Sequence, residues 1–302
     1  MAHQRSDDNV RSKVVLVVGG TSGIGLVTAR RLVDEGARVA VCSRSEERVS
    51  AVAAELGHGT LGLPGDIRDA ADMQRVVAAC LAEHGRLDAV VTTAQVMAYG
   101  TLEEVPPETF AAVHDVAVLG TLTLARTVLP VFRAQGGGSL VIVGSLLAEI
   151  AVPSLGAYCT AKWAQLCLAR TLQLETRRER GIHVSVVAPG AIDTPIYAQA
   201  ATFAGHGGSA PPPVLAPDHV ARAIVRVLDC PRRLVHVGPA NWLSVIGFRL
   251  MPGVYDRLAP LLVRRVVLRG PRVAATLGNV VDPQTSLEGP RGGWTWYGRR
   301  RR

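Results

Sequence analysis

The chain has 302 residues, 48% of them apolar and 19% charged, an ordinary globular composition that fits one large α/β domain or two small ones. Its net charge of +8 is almost wholly arginine, because Lys13 and Lys162 are the only lysines; it gathers late, at Arg264, Arg265, Arg269, Arg272 and Arg299 to Arg302. That reads as a local basic tail, not as a nucleic-acid surface.

In chain order, short Val-rich runs alternate with amphipathic stretches. Residues 14–18, 37–41, 60–63, 87–91, 139–143, 183–187 and 234–237 read as strands, each nearly all apolar, as parallel strands covered on both faces should be. Helical patterns fill 23–35, 46–56, 70–84, 108–133, 157–180 and 217–228. Such alternation predicts a doubly wound parallel sheet of about seven strands with helices on both faces. Residues 203–217, rich in Gly and Pro, read as a loop placed to act as a substrate lid. The expected division is a flexible N-terminus over 1–12, a nucleotide-binding catalytic domain over 13–238, and a helical extension over 239–302. Its basic end is expected to be disordered from Gly289. Within that extension, 242–268 could form amphipathic helices on a membrane surface, though packing on its own domain or across a subunit interface is preferred.

The five cysteines are odd in number and show no metal-ligand spacing, so no metal is expected, and free thiols in a reducing cytosol place the protein in the cytoplasm. The N-terminus does not resemble a signal peptide, and no uninterrupted apolar run reaches membrane-spanning length.

The first strand runs into Gly19-Gly20-Thr21-Ser22-Gly23-Ile24-Gly25, with a helix directly after. Gly19, Gly23 and Gly25 permit a tight turn and let a pyrophosphate approach main-chain N–H groups at a helix N-terminus. The second strand ends Cys42-Ser43-Arg44, a hydroxyl and a guanidinium that suit a ribose 2′-phosphate, unless Arg44 is simply solvated. Asp66 could reach an adenine amine or cap the next helix.

Tyr158 and Lys162 are four apart, on one helical face. A nearby ammonium should lower the phenol pKa so that it exchanges a proton with a substrate oxygen. Ser145, at a strand end, could hold the same oxygen or serve as a cap.

Together these motifs, with Pro189-Gly190 after the sixth strand, resemble the short-chain dehydrogenase/reductase family over nearly the whole length to Val237. The resemblance implies a Rossmann-type fold and hydride transfer between nicotinamide C4 and a carbinol carbon. Tyr158 would be the acid/base, Ser145 would position the substrate oxygen, and Lys162 would also hold the nicotinamide ribose. It implies further that Pro189, Gly190, Ile192 and Thr194 hold the nicotinamide carboxamide, and it adds Ile67 and Ala94 to the cofactor contacts. Ser43-Arg44 resembles the members that prefer NADP. Segments of the extension, such as residues 231–242, 278–283 and 289–294, resemble longer bacterial members of the family.

The sequence departs from the family pattern in three places. Val18 replaces a threonine, Thr92-Thr93-Ala94-Gln95 replaces Asn-Asn-Ala-Gly, and Ala117 stands where the family's catalytic tetrad has asparagine. The last implies slowed or re-routed proton transfer. The expected function is an NADP(H)-dependent oxidoreductase interconverting an alcohol and a carbonyl on an apolar substrate, working as a homo-oligomer. Tyr197, Phe203 and the Pro-rich loop would form the lid. The alternative is a non-catalytic NADP(H)-binding or sensing protein.

Overall fold

The computed structural model describes residues 10–300. In chain order the elements are β1 (Val14–Val18), α1 (Gly23–Asp34), β2 (Arg38–Ser43), α2 (Glu46–Leu56), β3 (Leu61–Pro64), α3 (Ala70–His84), β4 (Ala89–Thr92) and the short β5 (Ala98–Tyr99). Then come α4 (Pro107–His114), a π-helical turn (Asp115–Leu119), α5 (Gly120–Ala134), β6 (Gly138–Val143), α6 (Gly156–Glu175), β7 (Ile182–Pro189), α7 (Ile196–Gln199) and the short β8 (Ala201–Thr202). The chain continues with α8 (Pro217–Asp229), β9 (Leu234–Val237), α9 (Asn241–Leu250) and α10 (Pro252–Leu262).

Seven strands form one parallel sheet in the order β3-β2-β1-β4-β6-β7-β9. The alternation of side chains along a strand divides the apolar runs between two cores. Val14, Leu16 and Val18 of β1, with Leu140 and Ile142 of β6, join the core that holds Met73 of α3, Leu124, Val128 and Phe132 of α5, and Ala161 of α6. Val15, Val17, Val141 and Val143 face the opposite core, with Leu26 and Leu32 of α1, Val49 and Val52 of α2 and Ile224 and Leu228 of α8. Strand order reverses between β1 and β4, so a crevice opens at the carboxyl ends of these strands, where ligands of doubly wound sheets bind.

The run Pro107–Ala134 is long and apolar enough to span a membrane, but half of its most apolar window is buried inside the protein. Between the two helices, the π-turn gathers Val116 and the fully buried Ala117 toward α6.

The C-terminal extension differs from expectation. Among the described residues its helix is limited to α9, α10, a π-turn at Val263–Val267 and a 3-10 turn at Thr285–Leu287. Trp242, Leu243, Ile246, Leu250, Leu258 and Leu262 of the two helices remain exposed. Beyond them the chain is extended and returns to the sheet's carboxyl edge, with bridges Thr202–Thr276 and His206–Arg272 on the way. From Gly289 the chain is tethered to the domain, although Arg291, Trp296, Tyr297, Arg299 and Arg300 are exposed: Trp294 is buried against Tyr197 at 5.8 Å between ring centroids, and the Asp193 carboxylate accepts from the Gly292 and Trp294 amides. At the other end, Val10–Ser12, expected to be part of a flexible terminus, form a 3-10 turn whose Val10 is fully buried. Residues 1–9 and Arg301 and Arg302 lie outside the described residues.

Candidate active site

The glycine turn between β1 and α1 is shaped as the sequence requires. Gly19 and Gly23 have φ of +83° and +51°, a region costly for any residue with a Cβ. A Cβ on Gly25 would collide with the Gly19 carbonyl, and the Thr93 hydroxyl bonds the carbonyls of Val18 and Gly19 at 3.2 and 3.0 Å. Thr93, in the segment that departs from Asn-Asn-Ala-Gly, therefore ties β4 to the turn by itself.

A groove opens beside this turn. Its walls include Gly19, Thr21, Ser22, Gly23, Ile24, Gly25, Ser43, Arg44, Asp66, Ile67, Ala94 and Thr194, twelve of the residues expected to meet a cofactor. Pro189 ends β7 and Gly190 and Ile192 follow it; all three lie outside the groove lining, and so do Tyr158 and Lys162. Gly190 has another duty: a Cβ there would lie 2.6 Å from Asn241 Oδ1, and the Asn241 amide donates to the Ala188 carbonyl.

Three buried polar atoms on the groove walls, Ser43 Oγ, Gln95 Oε1 and Asn279 Oδ1, have no hydrogen-bond partner. Buried polar groups are rarely left so, and these three with the glycine cradle fit a polar dinucleotide. Asp66 does not cap α3; Asp69 does, accepting from the Ala71 and Asp72 amides. Asp66 instead pairs with Arg68 at 2.6 Å, and despite burial those hydrogen bonds hold its carboxyl below the usual range.

The sequence reading missed the wall contributed by the extension. Arg44 is not free in solvent: its Nη1 and Nη2 donate to the Val281 and Asn279 carbonyls at 2.8 and 2.9 Å. The Gly289 carbonyl accepts from the Gly23 amide at 2.8 Å and from Ser22 Oγ, and Glu288 pairs with Arg48 at 3.0 Å. Residues 279–294 thus form a strap along the Arg44 side of the groove, with Asn279, Gln284 and Glu288 in its lining. A hint lay in Asp193, an acid within the motif read for its neighbours, which is the anchor of that strap.

Ser145, Tyr158 and Lys162 are brought together, all buried. Of the two roles left open for Ser145, the structure shows the cap: its Oγ accepts from the Leu147 amide at 3.1 Å at the short turn Leu146–Ala148, and the same hydroxyl acts to lower the Tyr158 phenol. Lys162 Nζ lies 5.8 Å from the Tyr158 ring centroid and donates to the Val143 carbonyl at 3.1 Å and to Gln165 Oε1 at 2.8 Å.

The protonation pattern differs from expectation. Burial raises the Tyr158 phenol above its ordinary value, against the opposing pull of the Ser145 hydrogen bond. The lysine does not reverse this, because the same burial lowers Lys162 to about 7 and so weakens its charge near neutrality.

Around Tyr158 lies an apolar shell from distant parts of the chain: Met97, Tyr99, Leu155 and Ala200, joined by Val263 and Val267 of the extension. Leu147, Val152, Tyr197 and Leu268 pack against it. Of the expected lid, Tyr197 belongs to this shell, whereas Phe203 packs on the sheet core and its amide bonds the Tyr99 carbonyl. The Pro-rich loop is pinned to the extension, by Gly207 to Pro271 and Val214 to Trp296.

Comparison with known proteins agrees with this geometry. The chain is 39% identical over 198 residues to dehydrogenase/reductase SDR family member 4 of Bos taurus, covering 64% of this chain and 70% of that protein. It is 29% identical over 259 residues to the uncharacterized oxidoreductase YxnA of Bacillus subtilis, covering 82% and 72%. Among solved structures, a 3-ketoacyl-(acyl-carrier-protein) reductase from Brucella melitensis complexed with NADH superposes with a TM-score of 0.68 at 26% identity, over 76% of this chain and 98% of that one. An alcohol dehydrogenase from Thermococcus sibiricus complexed with 5-hydroxy-NADP gives 0.65 at 27% identity, over 75% and 95%. The short chain dehydrogenase family model matches residues 13–204, and with the parallel sheet, the glycine turn and the buried Ser145–Tyr158–Lys162 set this places the chain in the short chain dehydrogenase family of oxidoreductases.

Proposed function

We propose that this protein is an NADP(H)-dependent oxidoreductase that reduces a carbonyl on an apolar substrate. The observation that carries the reading is the convergence of Ser145, Tyr158 and Lys162 beneath an apolar shell, next to a groove with three unpartnered polar atoms. A nicotinamide bound there supplies the hydride. Gly19 to Gly25 would hold its pyrophosphate with the donors left after the Gly289 carbonyl takes the Gly23 amide and Ser22 Oγ, and Thr194 would hold its carboxamide end. Tyr158 stays protonated through the neutral range, the form in which its Oη–H donates to a carbonyl oxygen as that oxygen gains charge. Ser145 Oγ fixes the oxygen, and the buried shell excludes water from it. Lys162 stands beside the phenol, its Nζ 5.8 Å from the ring centroid, and keeps only part of its charge near neutrality.

NADP is favoured over NAD by Ser43 and Arg44. Ser43 Oγ is an unpartnered buried acceptor or donor, and Arg44 retains three of its five N–H groups after bonding the strap. The neighbouring carboxylates Asp66 and Glu288 are paired to Arg68 and Arg48, which tempers their repulsion of a 2′-phosphate. A homo-oligomer in the cytoplasm completes the reading. The exposed apolar face of α9 and α10 supports association of copies, and the cysteines, none in a disulfide, support a reducing compartment.

The test is NADPH consumption against apolar ketones, aldehydes and steroid-like carbonyls. Turnover lost in Tyr158→Phe, with NADPH binding retained, supports the mechanism. Turnover at the parent rate in that variant rejects it.

A further inference from the structure

The environment behind Lys162 contains a side chain that neither the motif nor the reaction explains. Gln165 lies one helical turn after Lys162 on α6 and is as buried as the lysine. Its Oε1 accepts from Lys162 Nζ at 2.8 Å. Its Nε2 donates at 3.0 Å to the Ala117 carbonyl, in the π-turn, and at 2.9 Å to Thr121 Oγ1. Thr121 Oγ1 in turn donates to that same Ala117 carbonyl at 2.6 Å. Both amide protons and the amide oxygen are therefore in use, so the group has one orientation and no spare donor.

A buried ammonium needs acceptors to retain its proton, and the Ala117 carbonyl in the π-turn stands where a side-chain donor on α6 reaches it. One amide joins the two. We propose that Gln165 is a positioning residue for Lys162: its side chain bridges the lysine ammonium to the Ala117 carbonyl, fixes Nζ behind Tyr158 and closes the rear of the site to solvent. The slowed relay expected from Ala117 becomes a sealed one, and protons must reach Tyr158 from the substrate and cofactor side. This rests on Lys162 serving Tyr158 in the proposed reaction, but the bridge can be tested without a substrate.

The chain has only two lysines, so selective ¹³Cε, ¹⁵Nζ labelling yields two side-chain signals, and Lys13→Arg assigns them. Tyr158 is the titratable side chain beside Lys162, and the hydrogen-bond partners of the lysine, the Val143 carbonyl and the Gln165 amide, are neutral. The phenol stays protonated over the working range, so it does not confuse the titration. Gln165→Met keeps the volume and removes the acceptor; the Lys162 midpoint should fall by about one pH unit. Gln165→Glu places a carboxylate in the same position, and the midpoint should rise by a similar amount. Unmoved midpoints in both variants overturn the proposal, as does a rise in Gln165→Met. If Gln165→Met fails to fold, the direction of the shift in Gln165→Glu decides alone. Shifts of the expected sign in a protein that turns over no carbonyl would leave the bridge standing and reject the oxidoreductase reading. Turnover with unmoved midpoints would do the reverse.

Discussion

Asp193→Ala tests whether the strap over the cofactor groove is a built part of the site. Asp193 is buried, and one of its carboxylate oxygens accepts from the Gly292 amide at 3.1 Å and the Trp294 amide at 2.6 Å. A hydrogen bond to a charged group contributes about 1.5–3 kcal/mol, so losing both removes about 3–6 kcal/mol from the strap's attachment. Trp294 stays packed on Tyr197, so the lower end applies. About 3 kcal/mol corresponds to exchange roughly a hundredfold faster for strap amides that open locally. Hydrogen exchange read by mass spectrometry should show this over 279–296, with β1, β4 and β6 unchanged. Cofactor affinity should fall with it, because Asn279, Gln284 and Glu288 leave the groove and Arg44 loses its two carbonyl acceptors. Unchanged exchange in the strap would refute the anchoring role. Equal acceleration in strap and sheet would show that Asp193 supports the whole domain.

Other perturbations bear on the remaining parts. Arg44→Ala should weaken NADPH binding by about ten- to a hundredfold and NADH binding much less, because only NADPH presents a 2′-phosphate; calorimetric titration of both checks this. Burial lowers Lys162 from 10.5 to about 7, so between about pH 7 and 10.5 the unfolded chain binds a proton that the folded chain has released, and stability rises with pH. Thermal unfolding should therefore rise between pH 7 and 8.5, with an upper bound of about 5 kcal/mol for the full shift, and Lys162→Met should abolish the rise. Above about pH 9 the opposite sign takes over, since the buried thiols of Cys42 and Cys80, both pushed up to about 12, stay protonated only in the fold. Gly25→Ala should destabilise the protein by about 1–3 kcal/mol and abolish dinucleotide binding, because its Cβ meets the Gly19 carbonyl; denaturant unfolding checks the first part.

What was legible in the sequence was whatever local pattern controls. The parallel sheet followed from apolar runs such as Val14–Val18, buried on both faces, and the glycine turn from a backbone that only glycine tolerates. Ser145, Tyr158 and Lys162 were readable because their spacing along one strand end and one helix face fixes their meeting. The strap was not readable: Gly289 lies 267 residues from Ser22, and the contacts that hold it are largely made to main-chain groups, which leave no mark on composition. The short pair β5 and β8 escaped notice because two residues carry no period. The Tyr158 phenol was placed on the wrong side of its ordinary pKa because burial, invisible in a Y-x-x-x-K motif, outweighs the neighbouring lysine. Ala117 read as a gap because its bridging partner, Gln165, lies 48 positions away.

Transfer of deuterium from NADPH labelled at nicotinamide C4 to an apolar ketone tests the central claim most directly. Product mass spectrometry should find one deuterium on the carbinol carbon with the parent protein and none with Tyr158→Phe. Tight NADPH binding with no labelled alcohol from any carbonyl in the panel would contradict the account and leave a dinucleotide-binding protein without catalysis.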